Sequence, residues 1–220
     1  TGDPEEGRQL ASTFLEALNM LYREVEFDQF LGKRQALYRK SEAEVSEVLP
    51  SEALIPAMEG FYGKKFASYT LVPSMLQGVS SAFGVSYTDT DGTHILNVFG
   101  SFRPKDLEAG DMGFADSHMI EVYTIHEFGH SFANPFIDRL PESFFTNTGI
   151  LFEPISPKMQ SKGYGSWRTA LYEHLVHAGE VMITRRMGNL ADAERMESNF
   201  IEKDGYLYLP VFIGELEVYE

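Results

Sequence analysis

Residues 126 to 130 read His-Glu-Phe-Gly-His, and this short run constrains the chain more than any other. Histidines four residues apart leave one face of an α-helix, one turn apart, so both imidazoles can meet a single ion. Glu127 lies about 100° further round the helix. From there a carboxylate can reach a water on that ion but is poorly placed to be a ligand itself. The segment must therefore be helical and largely buried. Met119, Val122, Tyr123, His126 and His130 recur at helical spacings, and Ile125, Phe128 and Phe132 add apolar flanks. Gly129 costs such a helix about 1 kcal/mol against alanine. It also lets a neighbouring strand or substrate come close. The plain alternative is an amphipathic helix with two surface or core histidines.

The rest of the composition narrows the donor set. The chain has 220 residues, six His and no Cys. Cysteine-based zinc sites, cysteine nucleophiles and disulfide scaffolds are excluded, so any transition-metal ligands must be His and carboxylates. Eighteen Lys and Arg stand against 33 Asp and Glu, a formal charge of −15. That argues against nucleic acid as a partner and against an anionic membrane surface. No apolar run approaches the ~20 residues of a membrane span. The chain opens Thr1-Gly2-Asp3-Pro4, so we expect a processed or trimmed product in which a missing signal peptide says nothing about export.

The fold expected is α+β, mainly helical, with a small antiparallel sheet beside the His126–His130 helix. Residues 1–60 read as an N-terminal helical segment, within or beside a domain over 61–220. Leu10, Phe14, Ala17, Leu18, Leu21 and Val25 form one apolar stripe. A break is expected near Asp28 to Gly32, then helices over about Arg34 to Leu49 and Ala53 to Phe61. Phe66 to Val72, Ala82 to Thr88 and Thr93 to Phe99 are rich in aromatic and β-branched residues, and Asp89-Thr90-Asp91-Gly92 between the last two signals a hairpin. Pro135 is expected to end the motif helix. The stretch from Pro135 to Gly165 reads as a long, partly structured connection. Ser166 is an N-cap candidate for a helix over Trp167 to Met187. Ala191 to Lys203 reads as a further helix, and Leu207 to Tyr219 as an apolar element of open type.

Two histidines leave a metal site incomplete. A metzincin would need glycine at position 133 and histidine at 136, but the chain has Ala133 and Phe136. The helix from Trp167 offers Glu173, His174, His177 and Glu180. Glu173, His177 and Glu180 share a face by their spacing. Glu173 is the first choice as third ligand; His177, Glu180 and His174 remain alternatives. Were Glu173 the ligand, His177 one turn later could orient a ligand or contact a tetrahedral intermediate. Read without the motif, the same cluster is a solvated face of interleaved charges.

The runs His126-Glu127-Phe128-Gly129-His130-Ser131-Phe132 with Asn134-Pro135, Tyr164-Gly165-Ser166-Trp167 and Tyr172-Glu173-His174-Leu175-Val176 resemble a bacterial family of exported proteins of unknown function, regarded as zinc metallopeptidases of the gluzincin type. The similarity runs from about Phe61 to the C-terminus. It implies His126, His130 and Glu173 as zinc ligands and an exported location (periplasmic, cell-surface or secreted). In that family the position of His177 is usually basic, which favours anion stabilisation or ligand support there. Gluzincins also bind substrate along an edge strand beside the active-site helix, and Thr93 to Phe99 is the candidate, with an internal hairpin strand as the alternative. They often use a Tyr or His to hold the oxyanion. Tyr164 is the first candidate, with Tyr172, Tyr206 and Tyr208 competing. Asn134 either hydrogen-bonds a ligand or holds the turn at Pro135, the second being favoured.

The function expected is hydrolysis of peptide bonds in a peptide or protein substrate, by water activated on Zn2+ with Glu127 as general base and later proton donor. A non-catalytic zinc-containing binding domain on the same scaffold, and a zinc hydrolase of a non-peptide amide or ester, are the alternatives. Intact Glu127 weighs against the first of these. Cleavage specificity, exo- against endo-action and oligomeric state are not legible in the sequence.

Overall fold

A computed structural model describes residues 3–219. Among the described residues, nine α-helices and three strands follow in the order α1 (Pro4–Glu24), α2 (Phe27–Ser46), α3 (Leu54–Tyr62), β1 (Ser68–Pro73), β2 (Ala82–Asp89), β3 (Gly92–Phe99), α4 (Ser117–Asp138), α5 (Glu142–Thr148), α6 (Ser156–Ser161), α7 (Trp167–Arg186), α8 (Leu190–Glu202) and α9 (Leu209–Tyr219). The chain is thus α+β and mainly helical, as expected. No described helix is long and apolar enough to cross a membrane.

The chain divides into two compact units, Thr1–Ala43 and Glu44–Glu220. In the first, Asp3 caps α1 by accepting from the Glu5 N–H, and the apolar stripe of α1 is exposed at Leu10, Phe14, Leu18, Leu21 and Val25. α2 runs through Asp28 to Gly32 without the expected break. A single glycine costs a helix about 1 kcal/mol, which its other residues outweigh.

The second unit is built around α7, in which fourteen of twenty residues are buried. It starts cleanly because the Ser166 side chain accepts from the Thr169 N–H and Thr169 answers to the Ser166 backbone, a reciprocal capping box. On one side Ala170, Leu171, Ala178, Val181 and Met182 pack with Met159, Trp167, Tyr206, Leu209 and Ile213. On the other, Ile183 joins Leu54, Met58, Ile95, Ile125, Phe128 and Phe132 in a second core that ties α3, β3 and α4 together. Asp116 caps α4 by accepting from the Met119 N–H at 3.0 Å. The loop before it is held by the buried Glu44 carboxylate, which accepts from the backbone N–H groups of Met112 and Phe114 at 2.8 and 3.0 Å.

Four details differ from the sequence reading. Pro135 lies inside α4, which continues to Asp138; only one hydrogen bond is lost, and the packing of Ala133 and Ile137 carries the helix past it. The stretch from Pro135 to Gly165 contains α5, a 3₁₀ turn at Gly149–Phe152 and α6. The sheet is mixed rather than antiparallel, since β1 pairs parallel to β3, Ser68 opposite His94 through Pro73 opposite Phe99. The order is β1-β3-β2, so Thr93 to Phe99 is the central strand, and the edge strand packed on α4 is β2. The hairpin itself forms at Asp89 and Gly92; Gly92 takes φ 128°, which a side chain would resist.

Candidate metal centre

α4 and α7 cross face to face, and glycine sets how closely. A β-carbon on Gly129 would meet Val176 Cγ1 at 3.2 Å, and one on Gly179 would meet the Tyr62 hydroxyl at 2.2 Å. The Tyr62 ring stacks on Phe132, centroids 4.7 Å apart, and so fills the space that the two glycines leave. The crossing brings His126 and His130 of α4 against Glu173, His177 and Glu180 of α7.

The two Nε2 atoms of His126 and His130 are 3.2 Å apart. Glu173 Oε2 lies 3.8 Å from His126 Nε2, and Glu173 Oε1 lies 3.5 Å from His130 Nε2. Tetrahedral zinc with ligand distances near 2.1 Å needs donors about 3.4 Å apart. Glu173 Oε2 is buried and makes no hydrogen bond. A buried carboxylate oxygen without a partner costs several kcal/mol unless a cation answers it. This donor set therefore fits a zinc ion.

The opposite edges of both imidazoles are held. His126 Nδ1 donates to Glu180 Oε1 at 2.5 Å, and His130 Nδ1 donates to Asn134 Oδ1 at 3.2 Å. With protons on Nδ1, each ring turns a bare Nε2 towards the other and towards Glu173. Asn134 thus supports a ligand, the less favoured of its two readings. Glu180 Oε1 also accepts from His177 Nδ1 at 3.0 Å. The His177 ring sits 5.1 Å from that of His126 and 4.4 Å from that of Tyr206. His126, His177 and Glu180 also form a second donor set, sharing His126 with the first. It places no bare nitrogen pair face to face, because both Nδ1–H groups already point at one carboxylate oxygen.

Electrostatics follow from burial and from these pairs. Burial alone would lower the His126 imidazole, but the Glu180 carboxylate outweighs it and holds the metal-free ring at about 9, so Nε2 becomes bare as a cation displaces its proton. His130 is lowered by burial and by the neighbouring His126. Burial opposes the charge on Glu180, yet His177 and His126 together pull it down to about 2. Burial raises Glu127, and Glu173 adds to this, against the pull of His126 and of the Gly84 backbone N–H. β2 comes this close to Glu127 because residue 84 is glycine; a β-carbon there would lie 2.6 Å from the Glu127 carbonyl oxygen.

Tyr164, just ahead of α7, lies near enough to Glu173 and Tyr206 to feel both electrostatically. Burial and Glu173 raise the Tyr164 phenol. Of the competing tyrosines, Tyr172 hydrogen-bonds Asp138 and Tyr208 donates to the Leu151 carbonyl, both outside the cluster. His174 points elsewhere: Nδ1 donates to the Ala170 carbonyl at 2.6 Å and the ring packs on Tyr206, Tyr208 and Phe212.

The structure thus brings His126, Glu127, His130, Glu173, His177 and Tyr164 into one cluster. Sequence reasoning had Glu180 only as a spare ligand and missed Gly84. The face shared by Glu173, His177 and Glu180 was the available signal for the first; a glycine within a strand was the available signal for the second.

A family model matches residues 6–220. The chain belongs to the family described as domain of unknown function DUF4932. No curated protein and no solved structure matches it. The family match spans the candidate metal-site residues as well as most of the first unit, so the chain is related to the DUF4932 family well beyond the motif.

Proposed function

We propose that the chain is a zinc-dependent metallopeptidase of the gluzincin type, with a zincin-like arrangement of β2, α4 and α7. The observation that carries this reading is the convergence of two bare imidazole nitrogens and an unpartnered buried carboxylate, with a second carboxylate, Glu127, held beside them by the edge strand.

His126, His130 and Glu173 would hold zinc, which when bound supplies Lewis acidity and lowers the pKa of a coordinated water to about 7. Glu127 then accepts a proton from water and passes it to the departing amine nitrogen. Its burial keeps the carboxyl basic enough for both steps. An extended peptide adds to the free edge of β2, where Phe83, Val85 and Tyr87 are exposed. Tyr164 and His177 are the donors for the charge that develops on the carbonyl oxygen.

The test is digestion of a broad peptide library by protein reconstituted with one equivalent of zinc. Cleavage should vanish on chelation and return with zinc. Glu127→Gln should keep its zinc and lose about 10²-fold or more in turnover. Equal cleavage by that variant, or none by the loaded wild type, overturns the reading.

A further inference from the structure

Beside Tyr62, the second unit carries an open cavity of about 920 Å³. Its walls are Phe61, Phe136, Leu175 and Leu216, and the charged residues among its described lining are Lys64 and Arg186. Arg139 stands at the same mouth, its guanidinium 5.0 Å over the Phe136 ring.

Acids outnumber bases 33 to 18, and neighbouring cations are paired: Lys65 with Glu59, Arg168 with Asp138 and Glu142, Arg185 with Glu197 and Glu217. Among the described residues Lys64 and Arg139 have no such partner. Lys64 Nζ lies 4.3 Å from the Phe66 ring centroid, and Arg139 Nε donates to the Pro135 carbonyl at 2.9 Å. Burial and the nearby Arg139 both disfavour the Lys64 ammonium. The two cations thus feel each other's charge, and no described carboxylate forms an ion pair with either.

We propose that this cavity binds a small amphipathic anion, an apolar chain ending in a carboxylate or a phosphate. The volume is within the range of small-molecule sites. The apolar tail occupies the space between Phe61, Phe136, Leu175 and Leu216. The anionic head meets Lys64 and Arg139 and relieves their repulsion. A cationic or neutral amphiphile of equal length gains the first interaction and not the second. Such a head group is carried by free amphiphiles and by membrane lipids alike.

The experiment is titration calorimetry of the full chain with monomeric dodecanoate and dodecyl phosphate, with dodecanol and dodecyltrimethylammonium as matched controls. One anion should bind per chain, at least tenfold more tightly than either control, and more weakly as salt is raised. Lys64→Glu combined with Arg139→Glu should lose at least tenfold for the anions with an unchanged circular dichroism spectrum. Leu216→Trp, which fills the cavity and leaves the cations, should lose binding of all four probes. Co-sedimentation with phosphatidylglycerol vesicles, lost in the double variant, would assign the head group to a lipid; monomer binding without sedimentation would assign it to a free amphiphile. Equal affinity for the cationic probe, undiminished binding by the double variant, or many anions per chain overturns the proposal.

Discussion

Glu180 Oε1 lies 2.5 Å from His126 Nδ1, and this contact decides which nitrogen of His126 faces His130. The same oxygen takes His177 Nδ1 at 3.0 Å, so one buried carboxylate orients two imidazoles. Replacing Glu180 with Gln weakens the acceptor and frees the ring. Zinc affinity should fall about 10- to 100-fold, the usual cost of losing such a partner. Competition against a chromogenic chelator measures it; unchanged affinity would remove Glu180 from the site.

Gly84 carries a second prediction. With Ala in its place, the new methyl meets the Glu127 carbonyl oxygen at 2.6 Å. Either β2 withdraws from α4 or the helix shifts. Gly84→Ala should cost about 1–3 kcal/mol in stability and, under the proposed function, reduce turnover more than zinc affinity. Urea unfolding and a zinc titration on the same variant separate the two effects.

The Tyr62 hydroxyl is buried without a hydrogen-bond partner and lies 2.2 Å from where a Gly179 β-carbon would be. Tyr62→Phe removes an unsatisfied polar group and should be neutral or stabilising. Gly179→Ala alone should be strongly destabilising. Combined with Tyr62→Phe it should recover much of the loss, a coupling that a double-mutant cycle reads directly.

His174 is fully buried, and burial lowers its imidazole to about 4, against an ordinary 6.5. The folded state therefore holds the ring neutral where the unfolded chain would protonate it. Its contribution to stability is complete above pH 6.5 and is lost as pH falls from about 6.5 towards 4, by up to about 3 kcal/mol. Metal-free wild type should lose stability over that window more steeply than metal-free His174→Asn. Parallel pH curves of urea midpoints would contradict this.

Much of the site was legible from local rules. The spacing of His126 and His130 fixes a shared helix face whatever the tertiary fold, because an α-helix repeats every 3.6 residues. The absence of Cys restricted the donors to imidazole and carboxylate. Ser166 and the run to Met187 placed the second helix correctly for the same reason: capping and periodicity are properties of a few adjacent residues. Sheet order was not accessible this way. Thr93 to Phe99 reads as a strand locally, but whether it is central or at an edge depends on the parallel partner Ser68–Pro73, which arrives from a distant part of the chain. Pro135 misled for a related reason, since tertiary packing outweighed a local penalty.

The sequence by itself determined the helices α1, α3, α4, α7 and α8, the hairpin turn, the candidate donors and the excess of negative charge. Only the tertiary structure decided that Glu173 rather than His177 or Glu180 stands opposite the two bare nitrogens, that Glu180 turns to the back of His126, and that β2 rather than β3 lies along Glu127. Positions 173, 177 and 180 are equivalent on a helical wheel. The depth and rotation of the α4–α7 crossing distinguish them, and those depend on two glycines and a tyrosine ring far apart in the chain.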